Sequence, residues 1–85
     1  MPIKPNNPSE PPKDIELILA SPPERTELVV QLFAKDGGQF GEVYRNEGRW
    51  LLEIYPLPNE SMLFDANALC EAVAKSLGAL KDRLE

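Results

Sequence analysis

The stretch QFGEVYRNEGRWLLEIY, residues 39–55, decides how this chain folds. It holds two runs that contain aromatic and β-branched residues, 39–45 and 49–55, on either side of Asn46-Glu47-Gly48. Runs of this kind are typical of β-strands, and a three-residue connection that ends in glycine is typical of a hairpin loop. The stretch therefore predicts two antiparallel strands joined by a three-residue loop.

The length of that loop decides which side chains share a face of the hairpin, because successive strand residues point to opposite faces. With three loop residues, Arg45 pairs with Arg49 and Tyr44 lies beside Trp50. We expect a helix to cover the more apolar face, which consists of Phe40, Tyr44, Trp50, Leu52 and Ile54. The opposite face is then predicted to carry Val43, Leu51 and Tyr55.

Residues 22–35 allow two interpretations. Ser21-Pro22-Pro23-Glu24 has the form of a helix capping box, and Leu28 and Leu32 are spaced for one helical face. Adjacent Val29 and Val30 favour a strand instead, because β-branched side chains lose rotamer freedom in a helix. We predict a strand over residues 27–35, which completes a three-stranded meander, with the apolar run 15–20 as a candidate fourth strand.

The segment after Phe64 predicts the C-terminal helix. Asp65 is a good N-cap residue, and Phe64 and Leu69 occupy the positions of a hydrophobic staple. One apolar stripe follows at helical spacing: Leu69, Val73, Leu77, Leu80 and Leu84, widened by Ala66, Cys70 and Ala74. The fold class predicted is α+β, an antiparallel β-meander followed by one amphipathic helix, with Trp50 buried against Leu69, Val73 and Leu77.

The first residues of the chain are rich in proline. In this part of the 85-residue chain, prolines stand at positions 2, 5, 8, 11 and 12, and the three-residue spacing of the first four suits a polyproline II helix. Residues 8–13 also have the form of a P-x-x-P docking peptide. Because proline has a fixed φ and no N–H to donate, we predict a disordered tail over residues 1–13 and one domain over residues 14–85.

The charge of the chain argues against several classes of partner. Nine basic residues stand against 14 acidic ones, and the formal net charge is −5. Nucleic-acid binding draws on clustered Lys and Arg, so we expect neither a nucleic-acid partner nor an anionic membrane surface. The sequence has no run of ~20 apolar residues for a membrane span and no apolar leader, and Cys70 is the single cysteine. A cytoplasmic location is the expectation.

Catalytic residues are hard to find in this sequence. It contains no histidine, so neither a Ser-His or Cys-His pair nor a Cys/His metal site can be built. Glu42 and Glu53 are near neighbours, but the predicted register puts them on opposite faces. We therefore expect no catalytic residues, no metal ligands and no cofactor, and a protein that is not an enzyme.

The uncovered sheet face points to protein–protein interaction. One helix covers one face of a sheet, and contiguous exposed apolar surface usually marks an interface. We expect Val43, Leu51 and Tyr55 to bind a protein partner or a second copy of the chain. The alternative of another class is a small-ligand or nucleic-acid-binding module, which the net charge disfavours.

Residues 49–58, RWLLEIYPLP, followed by the helix from Asp65, resemble the small bacterial antitoxins of the HicB type. Those proteins have a strand meander, a proline-containing strand exit and then an amphipathic helix. The resemblance covers residues 28–84, and it implies a non-catalytic protein that binds and masks a basic toxin.

Overall fold

The computed structural model describes residues 11–56 and 61–84, which form four strands and one helix. The strands are β1 (Ile15–Ala20), β2 (Val29–Ala34), β3 (Gly38–Asn46) and β4 (Arg49–Ile54), and the helix is α1 (Ala66–Leu84). The four strands form one antiparallel sheet in the order β1-β2-β3-β4. The predicted α+β meander with a C-terminal helix is confirmed, residues 15–20 supply its fourth strand, and residues 29–34 are a strand and not a helix.

The predicted tail lies largely outside the described residues, which begin at Pro11. Pro11 and Pro12 are exposed, whereas Lys13 is half-buried. The Lys13 N–H donates to the Leu63 carbonyl at 2.8 Å. Lys13, one residue before the expected boundary at Asp14, is thus hydrogen-bonded to the rest of the domain.

The turn between β3 and β4 has two residues, not the predicted three. Asn46 pairs with Arg49, so Glu47 and Gly48 alone make the connection. Both have positive φ, 54° and 77°, which is the signature of a type I′ turn. This turn suits the right-handed twist of paired strands, and it shifts the predicted register by one residue.

A β-bulge in β3 changes the alternation of its side chains. Leu32 pairs with Gly41 and Phe33 pairs with Gln39, so Phe40 has no partner on β2. Phe40 is 2% exposed, and its ring centroid lies 4.6 Å from that of Phe64. Because a bulge inserts one extra residue, every later side chain of β3 points to the face opposite the one that simple alternation assigns.

The bulge and the turn together correct the predicted faces. Val43 does not lie opposite Leu51 on the uncovered face; it pairs with Leu52 and is 1% exposed in the core. Tyr44 does not face the helix; it pairs with Leu51 on the other side of the sheet. Phe40 and Trp50 contribute to the core as predicted, while Leu52 and Ile54 remain exposed on the helix side.

The core lies between the sheet and α1. Its buried cluster contains Val30, Leu32, Ala34, Phe40, Val43 and Leu80. Leu32 and Leu80 are fully buried, and burial of such a side chain stabilises the fold by roughly 1.5–3 kcal/mol. The helix packs mainly over β1, β2 and β3, which leaves β4 at the margin of the core.

The helix begins as predicted and packs the predicted stripe against the core through Leu69, Leu77 and Leu80, but different residues widen that stripe. The Ala68 N–H donates to Asp65 Oδ1 at 3.0 Å, which confirms the N-cap. Ala72 and Ser76 are buried, whereas Cys70 and Ala74 are exposed, so the stripe widens on the side opposite to that expected. The buried Ser76 hydroxyl donates to the Ala72 carbonyl at 2.7 Å, which satisfies its hydrogen bond inside the helix.

Trp50 occupies the edge of the core and not its centre. The residue is half-buried and packs against the core cluster. Lys81 Nζ lies 5.9 Å from its ring centroid, so Trp50 lies near the C-terminal part of α1. The cause is the position of α1, which packs mainly over β1, β2 and β3 and leaves β4 at its margin. Among the described residues, no helix is long and apolar enough to cross a membrane.

Candidate functional site

The sheet face opposite α1 carries a connected set of polar and aromatic side chains. We call it the polar cluster: Arg25, Gln39, Glu42, Tyr44, Glu53 and Tyr55. β3 supplies Gln39, Glu42 and Tyr44, and β4 supplies Glu53. Tyr55 directly follows β4, and Arg25 comes from the segment between β1 and β2. Leu51 lies on the same face, opposite Tyr44.

Two carboxylates lie side by side at the centre of the polar cluster. Glu42 and Glu53 are direct cross-strand partners, so they share a face. The prediction that they lie on opposite faces is wrong, for the same reason that Val43 was misplaced. Glu42 is 6% exposed, whereas the side chain of Glu53 is 49% exposed. The pair therefore has one buried carboxylate and one that faces solvent.

Arg25 supplies the cation that the buried carboxylate requires. Its Nη2 forms a close ion pair with Glu42 Oε1, while its distance to Glu53 Oε1 is 3.9 Å. Burial alone would lower the pKa of Arg25, but the hydrogen bond to Glu42 and the charge of Glu42 outweigh it and raise that pKa. The guanidinium also lies over the Tyr44 ring, with Cζ 3.8 Å from the ring centroid.

A turn in the segment before β2 positions Arg25 beside Glu42. The Arg25 N–H donates to the Pro22 carbonyl at 3.1 Å, which closes a turn that contains Pro22 and Pro23. The fixed φ of proline suits such a turn. Further along, Glu27 holds Arg45 through two hydrogen bonds of 2.7 and 3.3 Å. The Arg45 guanidinium lowers the pKa of Glu27, so both ends of this segment are fixed by ion pairs on β3.

The two tyrosines border the carboxylates. The Tyr44 hydroxyl donates to Glu53 Oε1 at 3.1 Å, and Gln39 Nε2 donates to the Tyr55 hydroxyl oxygen at 3.2 Å. Burial and then the negative charges of Glu42 and Glu53 raise the pKa of Tyr55. The burial and the negative charges that disfavour a phenolate at Tyr55 also disfavour any other negative group at this position.

A shallow hollow lies beside the polar cluster, where segment 24–28 meets the end of β3. Its volume is about 190 Å³, and the residues that line it include Arg25, Val29 and Tyr44. Binding pockets for small ligands usually hold roughly 300–1,000 Å³. The hollow is too small for such a ligand to be enclosed.

The structure brings together two of the three residues predicted to bind a partner. Leu51 and Tyr55 are half-buried on the face opposite the helix, and Val43 is in the core. The sequence interpretation did not name the other members of the polar cluster as site residues: Arg25, Gln39, Glu42, Tyr44 and Glu53. The orientation of Glu42 and Tyr44 could have been predicted if the bulge at Phe40 had been recognised. Arg25 lies in an irregular segment, where no side-chain periodicity indicates its position.

The polar cluster offers recognition chemistry. Its members are two carboxylates, one guanidinium, two phenols and an amide, a set that suits hydrogen bonding and cation–π contact. Within residues 11–56 and 61–84, no three Asp, Glu or Cys side chains are grouped so that they could hold a metal ion. Comparison of the chain with protein-family models, curated proteins and solved structures found no match.

Proposed function

We propose that the chain is a small non-catalytic module that binds a basic protein partner through the polar cluster. One observation carries the proposal: Glu53 stands beside the buried Glu42, and Arg25 pairs closely with Glu42 but lies 3.9 Å from Glu53. The cluster therefore holds one more carboxylate than close cations among the described residues. A lysine or arginine of a partner would complete it.

The local electrostatics favour a cation over other ligands. The raised pKa of Tyr55 reflects burial and two nearby negative charges, which would repel a phosphate or a carboxylate of a ligand. The net charge of −5 adds a long-range attraction for a basic protein. This attraction accelerates encounter and weakens with salt.

Arg25 illustrates the contact that a partner would make. Its guanidinium stacks over Tyr44 while it pairs with Glu42, which combines a cation–π contact with a charge-assisted hydrogen bond. Tyr55 is half-buried on the same face as Glu53 and can receive a second cation in the same manner. Tyrosine and arginine are also the residue types enriched at protein interfaces.

The resemblance of residues 28–84 to HicB-type antitoxins implies a partner of the same chemistry, a basic toxin. A toxin that carries an exposed arginine or lysine on a convex surface would suit a sheet face with an acidic centre. The proposal does not depend on that resemblance, because the acidic and aromatic side chains of the cluster support any basic partner.

The proposal is tested by capture from a lysate of the source cells on immobilised protein. Glu53→Lys reverses the open carboxylate, and Tyr44→Lys places a cation on the same face but away from the edge of β4. Glu71→Lys makes the same charge change as Glu53→Lys at an exposed position of α1. We expect wild type and Glu71→Lys to retain one basic protein that neither other variant retains.

Circular dichroism and sedimentation of each variant separate loss of binding from loss of fold or of self-association. The proposal fails if folded Glu53→Lys and Tyr44→Lys retain the same proteins as wild type. It also fails if the retained proteins are acidic, or if binding is insensitive to salt.

A further inference from the structure

The outer edge of β4 is open to another strand. β4 is the last strand of the sheet, and among residues 11–56 and 61–84 none pairs with its outer side. The Tyr55 N–H donates to the Phe40 carbonyl at 2.8 Å, so the backbone groups of odd-numbered residues in this region point towards β3. Those of Trp50, Leu52 and Ile54 therefore point outwards, where a further strand could bond to them.

The same edge exposes apolar side chains. Leu52 is 44% exposed and Ile54 is 53% exposed, although both lie on the helix side of the sheet. The helix packs mainly over the other three strands and does not shelter them. Free backbone groups beside exposed apolar side chains are the features of an edge that accepts a strand.

The charges of β4 favour a second copy of β4 as that strand. When two copies pair antiparallel about Leu51, Arg49 of each copy lies opposite Glu53 of the other. Two-fold symmetry produces this ion pair twice, and on the helix side it sets Trp50 against Leu52. β1, the other terminal strand, contains a single charged residue, Glu16, and has no such self-complementarity.

We propose that the chain forms a homodimer in which two β4 strands pair antiparallel about Leu51 and join the two sheets into one. The symmetry axis is perpendicular to the sheet, so both helices lie on one side and both polar clusters on the other. Glu53 can take part in both contacts, because a carboxylate has about four acceptor positions. The dimer rests on the edge of β4 and not on the proposed basic partner.

Charge reversal tests the register directly. Arg49→Glu and Glu53→Arg each replace two attractive pairs by two repulsive ones, so each should raise the dimer dissociation constant roughly tenfold or more. In an equimolar mixture the two variants restore both opposite-charge pairs and should form a heterodimer. The double variant Arg49→Glu/Glu53→Arg should also dimerise. Lys75→Glu, a reversal at an exposed position of α1, serves as the control.

Sedimentation equilibrium from micromolar to millimolar concentration reads the outcome, with circular dichroism to verify that each variant is folded. Wild type and Lys75→Glu are expected to dimerise with equal affinity. Monomeric wild type at millimolar concentration overturns the proposal. So does a mixture of Arg49→Glu and Glu53→Arg that stays monomeric, because another register or another surface would then hold the dimer.

Discussion

Gly41 is the residue on which the position of the polar cluster depends most. It follows the bulged Phe40 and lies opposite Ile54, where the backbones of β3 and β4 approach closely. A Cβ atom at this position would lie well inside the van der Waals distance of the Glu53 carbonyl oxygen. The glycine therefore lets β3 return to regular pairing, which brings Glu42 opposite Glu53.

Gly41→Ala is expected to destabilise the fold, because the clashing atom belongs to the backbone and cannot move without shifting β4. The cost should be about 1–3 kcal/mol, which is typical of overpacking. Urea unfolding measures it. Gly78→Ala is the matched control: nothing lies within 4 Å of a Cβ at that exposed helical position, so it should stabilise by ~0.5–1 kcal/mol. A neutral Gly41→Ala would contradict the close approach.

Tyr55 predicts a specific dependence of stability on pH. Its pKa in the folded protein is raised above the ordinary value of about 10 by burial and by Glu42 and Glu53. The folded protein holds the Tyr55 proton more tightly than the unfolded chain does. The stability that this tighter binding provides is therefore complete below pH ~10 and is lost as the pH rises through the folded pKa.

Spectrophotometric titration of the native protein should show a late step, the ionisation of Tyr55 above its ordinary pKa of about 10. Tyr55→Phe should abolish that late step and make the alkaline fall of the melting temperature less steep, while Tyr44→Phe should leave the late step in place. A late step that survives in Tyr55→Phe would show that the environment of Tyr55 is misassigned.

At the scale of the secondary-structure elements, the sequence predicted which strands and helix form better than it predicted how the strands pair. Local signals predicted β1, the strand at residues 29–34 and the helix with its Asp65 cap. These signals are proline boundaries, paired valines and a capping residue. The faces of β3 did not follow, because alternation cannot reveal the extra residue at Phe40. A single unrecognised bulge moved Val43 into the core and Glu42 and Tyr44 out of it.

The β3–β4 turn shows the same limit. Asn46-Glu47-Gly48 reads as a three-residue loop because asparagine and glycine are both turn residues, yet Asn46 stays in β3. Glu47 instead takes a left-handed conformation with φ 54°. Such a conformation is costly for a residue with a long side chain, and the structure accepts it because the turn suits the strand twist.

Replacement of that residue should therefore stabilise the hairpin. Glu47→Asn creates Asn-Gly, the preferred sequence of a type I′ turn, and should raise the free energy of unfolding by ~0.5–1 kcal/mol. Glu47→Ala removes the same charge without the left-handed preference and should give no such gain. Thermal unfolding of both variants measures the difference. Equal stability of the two would argue against the two-residue turn.

At the scale of the whole molecule, one helix is too narrow for a four-stranded sheet. It covers the helix side of β1 to β3, and the loop that carries Arg25 covers part of the other face. Among the described residues, the polar cluster around Glu53 and the outer edge of β4 are regions that stay open. The sequence predicted an uncovered face and named Leu51 and Tyr55 on it. The sequence could not predict the polar centre of that face, because this centre depends on the bulge at Phe40 and on the position of Arg25.

The most direct test of the proposed binding face is a titration of isotope-labelled protein with a short oligo-arginine peptide, followed by amide chemical shifts. We expect salt-sensitive shifts centred on four residues of the polar cluster: Glu42, Tyr44, Glu53 and Tyr55. These shifts should disappear in Glu53→Lys and persist in Glu71→Lys. Shifts distributed over exposed acids elsewhere, such as Glu71 and Asp82, and unchanged in Glu53→Lys, would contradict it.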